Sequence, residues 1–321
     1  MVEIDALDSK IIFELDRNSR AAYSQIGKAV RASKETVKYR VGKLVERGII
    51  GGFYSVIDFS KLGFISFRLY LTLQDASPQK RDALIAYLMK NPNIWILYRI
   101  TGKYNVSFSI WVRNPWEYER FWHDLLEKFG ENIMDQHLAM KTSYTEFTRN
   151  YLIKEKRSKE EFIVLQKAKP ESLDRFDLGI LQLLSLDARI SLVEMAEKLK
   201  TSPVTCSAHL KKLLKQKVII GFRTMFNYEK LGYQYYKVDL WFKNMRKRRE
   251  IMQFVLSHPN VIYTENTLVT SHFEFDLEVQ NFGEFIRIMD GFEAAFPDDI
   301  RRYEYYTLVK NYKISYLPAI R

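Results

Sequence analysis

The chain has 321 residues, 47% hydrophobic and 28% charged, with 50 Lys and Arg against 39 Asp and Glu for a formal net charge of +11. At roughly 100–200 residues per domain this is several globular domains, and the basic excess favours a polyanionic partner, nucleic acid or an acidic membrane surface. One cysteine, Cys206, excludes an internal disulfide framework and a cysteine zinc site; no apolar run reaches the ~18 residues of a membrane span, and the opening MVEIDALDSK has no apolar signal stretch, so a cytoplasmic protein is expected.

Taken in order, the chain opens with three helical segments. Residues 5–17 place Leu7, Ile11, Ile12 and Leu15 on one face, and residues 23–30 do the same with Ile26 and Val30. A turn at Arg31 and Ala32 leads to a third helix over 34–47, with Ser33 as its N-cap and Val37, Val41 and Leu44 inward. A short helix, a tight turn and a second helix make a helix-turn-helix. Residues 49–57 read as a wing, a strand pair around Gly51-Gly52. The period then changes. Residues 64–73 form a strand, 79–89 a helix, 94–101 and 106–112 two strands hinged at Gly102-Lys103-Tyr104-Asn105, 115–129 a helix with Pro at its first turn, and 133–148 a final strand. That order, β-α-β-β-α-β, is ferredoxin-like.

The same pattern then returns. Displaced by 169 positions without a gap, Asp5, Asp8, Ile11, Leu15 and Arg20 fall on Asp174, Asp177, Ile180, Leu184 and Arg189, while Ser33, Thr36, Lys43 and Leu44 fall on Ser202, Thr205, Lys212 and Leu213. The second copy repeats the three helices and wing over 173–226, then strand, helix, strand, strand, helix, strand over 233–242, 249–257, 261–268, 273–279, 282–296 and 301–316. Between the copies lies a charged linker with Pro170, in which Phe162 to Leu165 offer an apolar patch for docking. The expected fold class is α+β: two winged helix-turn-helix domains (1–60 and 172–229), each followed by a ferredoxin-like domain (61–152 and 230–321), with a linker over 153–171. The whole is a tandem duplication.

The third helix of each copy gathers the basic excess. The first carries Lys34, Lys38, Arg40, Lys43 and Arg47 against Glu35 and Glu46; in the second copy no acid stands between Lys200 and Phe222. Lysines and arginines so placed neutralise phosphates and release counterions, and short polar residues near a helix start reach phosphates or base edges. Candidate contacts to double-stranded DNA are Ser33, Lys34, Thr36, Lys38, Tyr39, Arg40 and Lys43 in the first copy, and Ser202, Thr205, Ser207, His209, Lys211 and Lys212 in the second.

These residues, with Leu7-Asp8, Asn18-Ser19-Arg20, Gly48-Ile49-Ile50 and Lys61-Leu62-Gly63, resemble the Lrp/AsnC family of transcriptional regulators, in the long duplicated form found mainly in archaea. The resemblance implies a DNA-binding regulator in which one chain is an intramolecular pseudo-dimer, with further homo-oligomers expected from the family. It also implies an amino-acid-like effector at the turn after the second strand of the ferredoxin-like unit, here Gly102, Tyr104 and Asn105, with His272 in the second copy; Asn105 stands where the family type has an acid. His209 replaces Arg40 and Lys217 replaces Gly48 in the second reader, so the two recognition helices are expected to differ in specificity and the operator to be asymmetric.

Catalytic residues, cofactors and metal ligands are not expected. The five histidines form no paired spacing, and neither phosphate-loop, dinucleotide nor serine-elbow motifs occur. Cys206 takes the inward position of Val37 and reads as a small hydrophobe. The Tyr- and Phe-rich strands are expected to pack rather than to stack bases as in RNA-binding sheets. Two alternatives stand beside the regulator: a scaffold without a DNA role, and a siroheme-decarboxylase-like tetrapyrrole enzyme, which resembles the same two-domain unit but would need basic and histidine residues converging on its substrate.

Overall fold

The computed structural model describes residues 4–75, 77–153, 159–165, 168–268 and 271–320; residues 154–158 and 166–167 of the expected linker lie outside them. Helices α1 (Ala6–Arg17), α2 (Tyr23–Val30) and α3 (Lys34–Glu46) form the first helix-turn-helix unit. Asp5 caps α1 by accepting from the Asp8 backbone N–H at 2.7 Å, and Ser33 caps α3 by accepting from Thr36 N–H at 3.0 Å, so each helix begins where a short acceptor meets an orphan donor. The second unit, α6 (Arg175–Leu186), α7 (Leu192–Leu199) and α8 (Pro203–Lys215), repeats the device with Asp174 and Ser202. Arg31 and Lys200 both turn through the left-handed region between the second and third helices, at φ 58° and 51°.

The wing is not the strand pair that Gly51-Gly52 suggested. Strand β1 (Ile50–Ile57) runs through without a turn, with register shifts between Ile50 and Gly52 and between Val56 and Ile57, and its antiparallel partner is β7 (Ile219–Phe226) of the other copy, Tyr54 opposite Arg223. A tight hairpin needs left-handed backbone at its turn, and Gly51 does not supply it. The exchange is reciprocal: Phe226 of β7 enters the core of α1–α3, and Ile57 of β1 enters the core of α6–α8. Arg20 Nη1 donates to the carbonyls of Ala188 and Ile190, and Arg189 Nη1 donates to those of Ser19 and Ala21. Equivalent residues thus grip equivalent backbone across a two-fold relation.

The ferredoxin-like halves contribute β2 (Ile65–Leu73), α4 (Pro78–Lys90), β3 (Ile94–Thr101), β4 (Val106–Val112), α5 (Pro115–Phe129) and β5 (Ile133–Phe147), then β8 (Gln234–Phe242), α9 (Arg248–Ser257), β9 (Val261–Leu268), β10 (Phe273–Val279), α10 (Phe282–Ala295) and β11 (Ile300–Ile314). The final strand of each half is long and serves both. β5 pairs with β2 through its first part and with β9 through its second, and β11 pairs with β8 and then β3. The strand order β2-β4-β3-β11-β8-β10-β9-β5 therefore closes on β2 as an eight-stranded antiparallel barrel. In the segment between the copies, β6 (Glu161–Leu165) adds to the remaining edge of β5, burying Phe162 and Val164.

Strand alternation assigns the two faces of the barrel wall. Phe67, Leu69, Val106, Phe108 and Ile110 face outward under α4 and α5; Val238, Leu240, Phe273, Phe275 and Leu277 do so under α9 and α10. The interior takes the polar registers, Arg68 and Tyr70 on β2, Ser107, Ser109 and Trp111 on β4, Lys237 on β8 and Asp276 on β10. The two large apolar cores lie outside the barrel, and the charges lie within it beside aromatic rings such as Tyr70, Trp95, Trp111 and Tyr306.

Candidate nucleic-acid interface and barrel cavity

On α3, Ser33, Lys34, Lys38, Tyr39 and Lys43 are exposed and Thr36 is half-buried, its hydroxyl 2.9 Å from that of Ser33. Lys43 donates to Glu46 at 2.8 Å, so part of its charge is already answered. On α8, Ser202 and Lys211 are exposed, and Thr205 and Ser207 are half-buried. The outermost stripe differs between the two helices: Glu35, Tyr39, Gly42 and Glu46 on α3, Val204, Ala208, Lys211 and Lys215 on α8, all exposed.

Arg40 and His209 turn back into their own domains. Arg40 Nη1 lies 2.7 Å from Asp5 and 3.3 Å from Asp8; His209 Nδ1 lies 2.8 Å from Asp177 Oδ1, and Lys212 Nζ lies 2.5 Å from Asp177 Oδ2. Both pairs tie the third helix of the unit to the capping box of its first helix. Burial opposes it, yet Lys212 and His209 hold the Asp177 carboxyl below its ordinary value. Asp174, Asp177 and His209 bring three metal-type ligand atoms together, but the Lys212 ammonium fills the charge-balancing place there. Lys217 and Gly48 share a left-handed backbone, φ 54° and 66°, so that replacement leaves the turn unchanged. These internal contacts were not legible in spacing alone, although Asp5/Asp8 and Asp174/Asp177 recur with the repeat.

The expected effector residues are occupied by their own chain. Asn105 Oδ1 accepts from Leu73 N–H at 2.7 Å, Tyr104 stacks on Tyr70 with centroids 5.1 Å apart, Gly102 lies against Tyr305 and Tyr306 at φ 129°, and His272 Nδ1 accepts from Phe242 N–H at 2.9 Å. No described contact joins His272 to the 102–105 turn.

Sequence reasoning missed the cavity inside the barrel, about 220 Å³, roofed by β1 and β7. Its charges form one network. Arg68 bridges Glu265 and Glu274, Lys141 meets Glu265 at 2.6 Å, and Lys237 meets Glu274 at 3.0 Å and Asp276 at 3.3 Å. Despite burial, Arg68 and Lys237 hold the Glu274 carboxyl well below its ordinary value, whereas burial and Glu274 push that of Asp239 up. Burial, with Arg68 and Lys237, pushes the Lys141 ammonium well down. Nearer the roof, Arg149 bridges Asp16 and Glu278, and Arg223 donates to Asp16. Trp95 and Trp111 stack at 5.1 Å and 5°.

Two helix-turn-helix units locked face to face over a barrel define a DNA-binding protein of the winged class. The model of the winged helix-turn-helix DNA-binding family matches residues 4–50 and 173–220, once in each copy. An uncharacterised HTH-type transcriptional regulator of Pyrococcus horikoshii is 31% identical over 130 residues, 40% of this chain and 79% of the relative; another, from Pyrococcus furiosus, is 26% identical over 147 residues, 46% of this chain and 97% of the relative. The siroheme decarboxylase NirDL shares the fold over 97% of this chain and 93% of its own, with a TM-score of 0.65 at 13% identity. The chain belongs to the Lrp/AsnC family of helix-turn-helix transcriptional regulators, in a tandem form that carries the unit twice. Among the described residues no helix is long and apolar enough to cross a membrane.

Proposed function

We propose that the chain is a sequence-specific reader of double-stranded DNA that regulates transcription in the cytoplasm, built as a covalent pseudo-dimer with two non-identical recognition helices. The observation that carries this reading is the reciprocal Arg20–Arg189 grip beside the β1–β7 ribbon, which fixes the two readers against each other. A fixed pair of readers suits two half-sites at set spacing. Phosphate contacts fall to the exposed Lys34, Lys38 and Lys211, with Ser33, Thr36, Tyr39, Lys43, Ser202, Thr205, Ser207 and Lys212 beside them; Arg40 and His209 act by positioning their helices. The differing outer stripes predict an asymmetric operator. Gel shifts at two salt concentrations, followed by footprinting on genomic fragments, test the reading. Salt-insensitive or absent binding refutes it.

The shared fold of NirDL, for which a complex with an iron-uroporphyrin III analogue is known, raises a second reading, a tetrapyrrole enzyme. Two observations disfavour it: no histidine lines the barrel cavity among the described residues, and its volume falls below the ~300–1,000 Å³ of ordinary ligand pockets. Titration with an iron porphyrin separates the two, since a shifted Soret band would support the enzyme.

A further inference from the structure

The barrel interior holds more than a network of paired charges. On the wall made by β2 and β4, several buried polar atoms that border the cavity lack a hydrogen-bond partner among the described residues: Arg68 Nε, Tyr70 Oη, Ser109 Oγ and Trp111 Nε1. From the roof, Ser55 Oγ joins them, and Arg223 Nη1 makes no hydrogen bond, its nearest described acceptor being the Glu146 carboxylate at 3.7 Å. Each residue bearing such an unpaired atom is at least nine-tenths buried. Buried polar groups are ordinarily satisfied, and leaving one bare costs about 1–3 kcal/mol. Arg68 stands directly opposite Ser109 in the β2–β4 register, so the group is contiguous.

The chemistry of these atoms is one-sided. The indole N–H and both guanidinium N–H groups only donate, and the three hydroxyls donate or accept. A matching ligand must bring acceptors. It need not bring charge, because the carboxylates and cations of the interior already answer one another; an added ion would enter a buried site without a counter-ion, which is costly. The walls around the donors are flat rings, with Trp111 stacked on Trp95 and Tyr70 on Tyr104 and Tyr306, and rings of this kind accept a planar guest by offset stacking.

We propose that the barrel cavity binds a small, uncharged, planar heteroaromatic compound with ring-nitrogen or carbonyl acceptors, of the size of a free nucleobase. Its rings lie against the Trp111–Tyr70 wall, and its acceptors take the bare donors of β2, β4 and the roof. Because Ser55 and Arg223 sit on β1 and β7, the guest touches the ribbon that joins the two readers. The binding stands on the cavity alone; its effect on DNA affinity rests on the regulator reading.

Calorimetry on the full chain with hypoxanthine, uracil and nicotinamide tests the site, with benzoate and L-leucine as charged comparators. The expected result is binding by at least one heteroaromatic and by neither comparator, with Tyr70→Phe and Trp111→Phe each weakening Kd about five- to tenfold while retaining the wild-type melting profile. Absence of binding by all three heteroaromatics, equal binding by benzoate or leucine, or an unchanged Kd in both variants overturns the proposal. Anisotropy with a DNA duplex, run on the same samples, reads the other hypothesis: a chain that binds the heteroaromatic but no DNA refutes the regulator and leaves the cavity site standing.

Discussion

Replacing Lys38 and Lys211 together by Ala removes two exposed cations, one from each recognition helix, for which no ion pair is described. Each phosphate contact contributes about 0.9 to the slope of log Kobs against log salt, so the double variant should lose about 1.8 units of slope. Between 50 and 200 mM salt the wild type would then weaken about twelvefold more than the variant. Fluorescence anisotropy with a labelled random-sequence duplex measures this without knowledge of the operator, since the term is independent of sequence. Arg40→Met is the internal control. Its guanidinium is engaged with Asp5 and Asp8, so it should lower the melting temperature slightly and leave the slope in place. An unchanged slope in the double variant would show that α3 and α8 do not face DNA, and a full unit lost in Arg40→Met would show that Arg40 reaches a phosphate after all.

Other consequences can be measured separately. Lys217→Gly relieves a left-handed non-glycine at φ 54° and should stabilise the chain by about 1 kcal/mol, read as a rise of about 1–2 °C in melting temperature; a fall would mean that the Lys217 side chain contributes more than its backbone strain. Asp239 keeps its proton longer in the folded than in the unfolded chain, because burial and Glu274 raise its pKa. Stability contributed this way is complete below the ordinary carboxylate value near 3.9 and is lost as pH climbs through the raised one. Asp239→Asn should therefore gain in melting temperature relative to wild type between pH 5 and pH 8, and a constant difference across that range would refute the assignment. The carboxylates Asp239, Glu265, Glu274 and Asp276 around the interior network all come from the second half, which answers them with one cation of its own, Lys237, whereas Arg68 and Lys141 come from the first. Halves expressed apart should be poorly folded alone and should combine one to one when mixed, as read by light scattering; stable homodimers of either half would contradict this charge matching.

Much of the architecture is legible in the sequence because the repeat doubles every signal. Asp5 and Asp174, Ser33 and Ser202 mark helix starts that local hydrogen bonds enforce, and period-two runs such as Val106–Val112 show one face of a sheet. Three features escape for the same reason, that their partners are distant in the chain. The wing finds its partner about 170 residues away, which no turn motif announces. The polar registers of β2, β4, β8 and β10 resemble a solvent-facing side until closure of the barrel turns them inward. Arg40 and His209 look like DNA contacts because the carboxylates they meet, Asp5/Asp8 and Asp174/Asp177, lie about 32–35 positions earlier on a separate helix.

Closure of the barrel by the chain's own strands bears on how such a molecule responds to its abundance. A two-headed reader assembled from separate chains vanishes on dilution, and when scarce its amount follows the square of the chain concentration. Here β3 meets β11 and β5 meets β9 within a single polypeptide, so the partner's effective concentration is set by covalent connection. The paired state should persist at a few copies per cell, and occupancy of a weakly filled site should rise in simple proportion to the number of chains made.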